Sequence, residues 1–290
     1  MYKSLKKPHS PLVVYTDLDG TLLDHDSYSF EAALPALKRL HSAGVPVIPV
    51  TSKTLAELDV LTRSLGLQGP VIAENGGLIA VPHGYFEQAS GLEDHGRFQI
   101  EYLSPRYARI VEMLNEVRSS SGFNFAGFSD LSDNEVAGLT GLDREESQRA
   151  RQRLCSEPLV WHDSDAAFET FTDVLGKRNY TLVKGGRFCH VLGATDKALA
   201  IDKLNHRFSG AGFTGFTTIV LGDSPNDRQM LAAADIAVIV RRKDGTWLEV
   251  DCRGEKILTQ ACGPEGWNEF FQTHLDRLTA QSNAQRTLHG

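Results

Sequence analysis

The chain has 290 residues, 41% of them hydrophobic, with 30 Lys and Arg against 37 Asp and Glu for a formal charge of -7. That length suits two domains or one core with a large insertion; the acidic balance argues against a chain that wraps nucleic acid, and no apolar run approaches the roughly 18 residues that span a bilayer. The four cysteines, Cys155, Cys189, Cys252 and Cys262, show no CxxC spacing, so neither a zinc site nor a disulfide framework is expected and a reducing cytoplasm is.

Met1 to Ser10 carries Lys3, Lys6 and Lys7 with no apolar stretch behind them, which reads as a solvated leader rather than a secretory signal. Leu12-Val13-Val14-Tyr15 is a short apolar run of the kind buried in parallel sheets. Glu31 to Ser42 has apolar residues at helical spacing and stops at Gly44. Val45 to Val50 predicts a second buried strand. Thr54 with Glu57 predicts a capping box opening a helix that runs to Gly66, and Val71-Ile72-Ala73 a third strand. This βαβαβ alternation predicts a parallel α/β sheet with right-handed crossovers.

From about residue 85 to 193 the rhythm breaks into irregular, Gly-, Ser- and Phe-rich chain. A charged helix is expected over 143–157, stopped by Pro158. Tyr180 to Val183 and Phe188 to Val191 flank Gly185-Gly186, a hairpin pattern. The stretch reads as an inserted α+β domain, giving an organisation of 1–84, 85–193 and 194–290. The α/β rhythm then resumes with a helix over 195–208, a strand over 217–221, a helix over 227–234 and a strand over 236–240. A last helix is expected near 265–278, with a polar tail behind it.

Asp17-Leu18-Asp19-Gly20-Thr21 follows the first strand directly. Residues i and i+2 of an extended segment point to one side, so both carboxylates converge at the carboxyl edge where open parallel sheets bind ligands. Close carboxylates repel unless a cation sits between them, and Mg²⁺ takes oxygen ligands while keeping open positions. Gly222-Asp223-Ser224-Pro225-Asn226-Asp227 repeats the arrangement after another strand. A lone Asp-x-Asp or Gly-Asp is more simply a turn or a helix cap; two at the ends of strands in one sheet point to a site. Between them, Thr51 and Ser52 offer hydroxyls and amides for a phosphate oxygen, or merely a helix cap. Lys197 stands in the first turn of a helix, where the dipole disfavours a cation, which hints at neutralising phosphate and nucleophile.

Asp17-x-Asp19-x-Thr21, Thr51/Ser52, Lys197 and Gly222-Asp223-x-x-Asn226-Asp227, in that order, resemble the four motifs of the haloacid dehalogenase (HAD) superfamily of phosphatases. The resemblance covers nearly the whole chain and implies a Rossmann-like α/β core with an α+β cap of the Cof type. Val50 to Thr54, Glu74-Asn75-Gly76-Gly77, Leu139 to Leu142, Ser156-Glu157-Pro158 with Trp161, and Gly185 to Phe188 are most similar to the mannosyl-3-phosphoglycerate phosphatase family. Lys184 also precedes a glycine pair, but Lys197 stands where the helix returns to the core and is preferred as the third-motif lysine.

The resemblance implies a phosphomonoesterase working through an aspartyl-phosphate, with Asp17 as nucleophile and Asp19 as general acid and base. It implies Mg²⁺ held by Asp17, the Asp19 carbonyl and Asp223, with Asp227 supporting, and a phosphate gripped by Thr51 or Ser52 and Lys197. Arg187 beside Gly186 would meet a substrate carboxylate, or be an exposed hairpin arginine, and Asn75 would line the site. The expected partner is a small phosphorylated sugar acid, with no nucleic acid or membrane, on a cytoplasmic monomer or homodimer. Its substrate is expected to be mannosyl-3-phosphoglycerate or the glucosyl analogue. A Cof-like or sucrose-phosphate-like phosphatase is the enzymatic alternative, and an inert binding scaffold the alternative of another class.

Overall fold

A computed structural model describes residues 12–87, 91–185, 188–213 and 215–289, the side chains of 282–289 excepted; the proposed leader lies outside them. In chain order the elements are β1 (Leu12–Thr16), α1 (Leu34–Ser42), β2 (Val47–Pro49), α2 (Leu55–Ser64), β3 (Val71–Ala73), β4 (Leu78–Pro82), β5 (Glu93–His95), β6 (Phe98–Tyr102), α3 (Tyr107–Ser121), β7 (Phe125–Gly127), α4 (Asp133–Thr140), α5 (Arg144–Arg151), β8 (Ser156–Trp161), α6 (Asp165–Lys177), β9 (Tyr180–Lys184), β10 (Cys189–Gly193), α7 (Lys197–Gly210), β11 (Thr217–Gly222), α8 (Arg228–Ala233), β12 (Ile236–Arg241), β13 (Glu255–Cys262) and α9 (Gly263–His289). Among the described residues no helix is long and apolar enough to cross a membrane.

The central sheet is parallel, ordered β13-β12-β11-β1-β2. Side chains alternate across a strand, and β1 shows how this makes two cores from one apolar run. Leu12 and Val14 face α1 and α9, where they meet Leu37, Leu40, Trp267 and Phe271. Val13 and Tyr15 face the other way, into Ala200, Leu204, Phe208 and Met230 of α7 and α8. A strand covered on both faces is built from a near-continuous apolar run, here Leu12 to Tyr15, and all five residues of β1 are buried.

Val71–Ala73 was expected in the parallel sheet and does not join it as a strand. It pairs antiparallel with β4 and touches the parallel sheet through one bridge, Val50 to Ile72. Glu74, Asn75 and Gly76 are all left-handed (φ 52, 58 and 89), which reverses the chain at once instead of feeding a crossover helix. β3 thus starts a second sheet, β3-β4-β6-β5, and the expected domain boundary after residue 84 falls between two of its strands.

The third sheet, β7-β8-β10-β9, is antiparallel and packs its own core of Ile110, Leu114, Val117, Phe125, Phe171 and Val191 against α3 and α6. The expected hairpin is its β9–β10 pair. The helix expected over 143–157 is shorter. Asp143 caps it through the Glu146 amide (2.7 Å) and it ends at Arg151, because Glu74 takes the amides of Leu154 and Cys155 (2.8 and 3.1 Å) and pulls the chain off the helical path. Pro158 lies inside β8, opposite His190 and just beyond the reach of β7, which pairs only as far as Leu159, a place where a missing donor is tolerated. Two further corrections concern the end of the chain. β13 was not expected: it is an edge strand whose only fully buried side chain is Thr259, so it lacks the apolar run that betrays a strand. α9 begins at Gly263 and continues to His289 instead of ending near 278.

Candidate active site

The site stands at the carboxyl edge of β1 and β11. These neighbours are in register, Thr16 opposite Leu221, and the Asp17 amide donates to the Leu221 carbonyl (2.9 Å), so Asp17 and Asp223 emerge side by side. Gly20 turns the chain back over them with φ +83; a Cβ there would stand 3.0 Å from Asp223 Oδ2, so glycine answers both the left-handed backbone and the space. Thr21 donates its hydroxyl to Asp223 Oδ1 (2.8 Å).

Asp227 is fully buried. Its Oδ2 accepts from the amides of Asp223 and Ser224 (3.1 and 2.9 Å), closing the turn that follows β11. Gly222 makes room for it, since a Cβ would meet the Asp227 carboxyl group at 2.8 Å. Asp17, Asp223 and Asp227 each place one oxygen within 4.8 Å of the others. Into this group α7 sends Lys197, 1% exposed, whose Nζ donates to Asp17 Oδ1 and Asp227 Oδ1, both at 2.7 Å. Asp196 caps that helix through the Leu199 amide (2.8 Å). The helix start approaches so closely that a Cβ on Gly76 would fall 2.1 Å from the Asp196 carbonyl.

Three carboxylates face one ammonium, and burial together with this surplus of negative charge displaces the pKa values of Asp17 and Asp223. Burial, then repulsion from Asp227, holds the Asp17 pKa well above the usual carboxylate range. Burial and Asp227 likewise push Asp223 up to about 7. Burial works against the Lys197 charge, but Asp17 and Asp227 outweigh it and raise its pKa. An all-oxygen donor set with unneutralised charge fits a hard divalent cation such as Mg²⁺. Both Asp227 oxygens are engaged by Lys197 and by backbone amides, so Asp17 and Asp223 are the carboxylates placed to meet an ion, with Asp227 behind them.

The Asp19 carboxylate lies outside that group. Its Oδ2 is 3.0 Å from Lys53 Nζ, and its Oδ1 is buried with no partner. Thr51 is buried at the end of β2, its hydroxyl accepting from the Lys53 amide (3.3 Å) and its carbonyl from the Asn75 amide (2.8 Å). Ser52 is half-buried, and its carbonyl accepts from Arg153 (3.1 Å). Asn75 meets Asn226, whose amide donates to Asn75 Oδ1 (3.2 Å); Asn75 Nδ2 and Asn226 Oδ1 are buried and unpartnered. Lys184 sits exposed at the end of β9, so Lys197 is the lysine that reaches Asp17. Gly186 and Arg187 lie outside the described residues.

Several neighbours carried no signal in the sequence. Trp267 is fully buried on α9 and donates to Thr16 Oγ1 (3.1 Å), which in turn donates to the Asp17 carbonyl (2.7 Å). Arg242 donates to the Asp223 carbonyl (2.7 Å). Lys53 could have been suspected from its place beside Thr51 and Ser52; Trp267 and Arg242 come from distant chain and could not.

The model of the haloacid dehalogenase-like hydrolases matches residues 14–114. The chain is 36% identical over 257 residues, 88% of its length and 94% of the relative's, to a glucosyl-3-phosphoglycerate/mannosyl-3-phosphoglycerate phosphatase of Methanococcoides burtonii. Among solved structures, a Thermoplasma acidophilum protein superposes with a TM-score of 0.62 at 18% identity, over 91% of this chain and 98% of that one. A haloacid dehalogenase-like hydrolase from B. subtilis superposes with a TM-score of 0.61 at 17% identity, over 91% and 99%. The solved structures share the fold, and the relative shares sequence along nearly the whole length: the chain belongs to the haloacid dehalogenase-like hydrolases and, among them, to the phosphatases.

Proposed function

We propose that the chain is a Mg²⁺-dependent phosphomonoesterase that removes phosphate from mannosyl-3-phosphoglycerate or its glucosyl analogue through an aspartyl-phosphate on Asp17. The observation that carries this is the buried Lys197 ammonium held between Asp17 and Asp227, with Asp223 beside them at the sheet edge. The substrate follows the named relative.

In this reading Asp17 and Asp223 hold the cation, which when bound offsets the phosphate charge that would otherwise repel the nucleophile. Lys197 fixes Asp17 through Oδ1 and leaves the second oxygen to attack phosphorus in line. As the P–O ester bond breaks, Asp19 gives its proton to the departing glycerate oxygen. Asp19 then takes a proton from water, the water oxygen bonds to phosphorus, and the bond to Asp17 breaks, restoring both carboxyl groups. Thr51, Ser52 and Lys197 hold the phosphate oxygens. The orphaned Asp19 Oδ1, Asn75 Nδ2 and Asn226 Oδ1 support a polar occupant, since buried polar atoms otherwise find partners. The β7–β10 sheet with its helices, residues 107–193, serves as the lid that selects the sugar acid, with Arg187 meeting its carboxylate.

Mg²⁺-dependent phosphate release across a panel of glucosyl- and mannosyl-3-phosphoglycerate, sucrose phosphate and simple hexose phosphates tests the reading. Preference for the two glycerates is expected. Hydrolysis of hexose phosphates with no activity on the glycerates would overturn the substrate, and persistent turnover by Asp17→Asn would overturn the nucleophile.

A further inference from the structure

Glu74 is fully buried and has no catalytic part in the reading above. Its backbone is left-handed at φ 52, a conformation uncommon outside glycine, and the following Asn75 is left-handed too. The amides of Glu74 and Asn75 donate to the carbonyls of Lys53 (3.0 Å) and Thr51 (2.8 Å), so this turn is stitched to the loop proposed to grip phosphate. The Glu74 side chain reaches a different part of the molecule. Its Oε1 accepts from the Leu154 amide (2.8 Å), and its Oε2 from the Cys155 amide (3.1 Å) and the Ser156 hydroxyl (2.7 Å).

Arg153 completes the seam. Its side chain is 3% exposed and its Nε lies 3.5 Å from Glu74 Oε2, while Nη2 donates to the Ser52 carbonyl (3.1 Å) and to Ser156 Oγ (2.5 Å). Residues 153–156 run straight into β8, a central strand of the lid sheet. Thr54 extends the contact by donating to the Arg149 carbonyl of α5 (2.9 Å). The chain enters and leaves the lid near Ser104 and Gly193, which are bonded to each other (2.8 Å). Ser104 also donates to the Cys155 carbonyl (2.7 Å), so the seam at Glu74 adjoins that connection and carries it onward to the loop of Thr51, Ser52 and Lys53.

We infer that Glu74, with Arg153, is a positioning residue that seats the lid against the phosphate loop, so that one buried carboxylate sets the lid's orientation relative to the bound phosphate. This rests on the proposed function in so far as the lid selects the substrate. A fully satisfied buried network tolerates little displacement, and a misplacement near 1 Å costs about 100-fold in rate for a substrate that must be held from both sides. A small aryl phosphate, which asks nothing of the lid, escapes that loss.

The test compares the full chain with Glu74→Gln and Arg153→Lys in Mg²⁺, using mannosyl-3-phosphoglycerate and p-nitrophenyl phosphate. Glu74→Gln keeps the volume but turns an NH₂ toward groups that donate. The expected result is a fall of about 100-fold in kcat/KM for the glycerate ester, with p-nitrophenyl phosphate within about threefold of the parent. Amide exchange at Leu154 and Cys155 should quicken while β1 and β11 are unchanged. Equal losses on both esters, or no loss on either, overturn the inference. Should Glu74→Gln fail to fold, Arg153→Lys decides, since it keeps the charge and loses the fork to Ser52 and Ser156; the same split, smaller, is expected. If the parent hydrolyses neither ester, the proposed function falls and the exchange pattern alone judges the seam.

Discussion

Lys197 answers for two buried carboxylates at once. Removing one partner of a buried ion pair leaves uncompensated charge and costs about 3–5 kcal/mol, so Lys197→Ala should lower stability by that order in urea denaturation and abolish turnover. Asp17→Asn removes a repulsive charge instead, and should abolish turnover with no loss of stability. His190 gives a pH signature. It is buried on β10, and burial first, then Arg153 and Lys197, push its pKa down to about 3 from 6.5. The unfolded chain therefore binds a proton below 6.5 that the folded chain refuses. The stability this contributes is complete above the unfolded pKa and is lost as pH falls toward the folded one, at about 1.4 kcal/mol per pH unit. His190→Asn should flatten the dependence by that amount between about pH 6.5 and 5, measured by urea denaturation at each pH.

α2 starts at a capping box: the Thr54 hydroxyl accepts from the Glu57 amide (3.1 Å) and Glu57 Oε2 accepts from the Thr54 amide (2.8 Å). Loss of such a cap costs about 1 kcal/mol. Thr54→Ala should cost at least that in urea denaturation, because the hydroxyl also bonds Arg149 of α5. The box was legible because every partner lies within four residues. The junction of α5 with β8 was not, because its decisive partner, Glu74, lies 80 residues away from Leu154. β3 misled for a different, local reason: apolar run and preceding helix matched a parallel strand, and three left-handed residues directly after it sent the chain back.

For the whole molecule, a cation that binds only the folded state stabilises it by mass action, about 2.7 kcal/mol at 100 times its Kd. Mg²⁺ should raise the melting temperature of the parent chain and a chelator reverse it, while Asp223→Asn shows no Mg²⁺-dependent shift. An equal shift in that variant would remove Asp223 from the metal site.

Two features were written in the sequence by itself: which strands are buried on both faces, and that Asp17, Asp19, Asp223 and Asp227 follow them. Both are local, since burial dictates apolar runs and a strand's end dictates where the next side chains emerge. Only the tertiary structure decided that Lys197 bridges Asp17 and Asp227, that Asp19 turns to Lys53, that Trp267 stands behind the Asp17 backbone, and that Glu74 joins the third sheet to the loop of Thr51 to Lys53. Those contacts join residues 30 to 251 positions apart. No periodicity records such pairs, because the force that selects them, the cost of a buried charge or donor without a partner, acts only after the chain has closed around it.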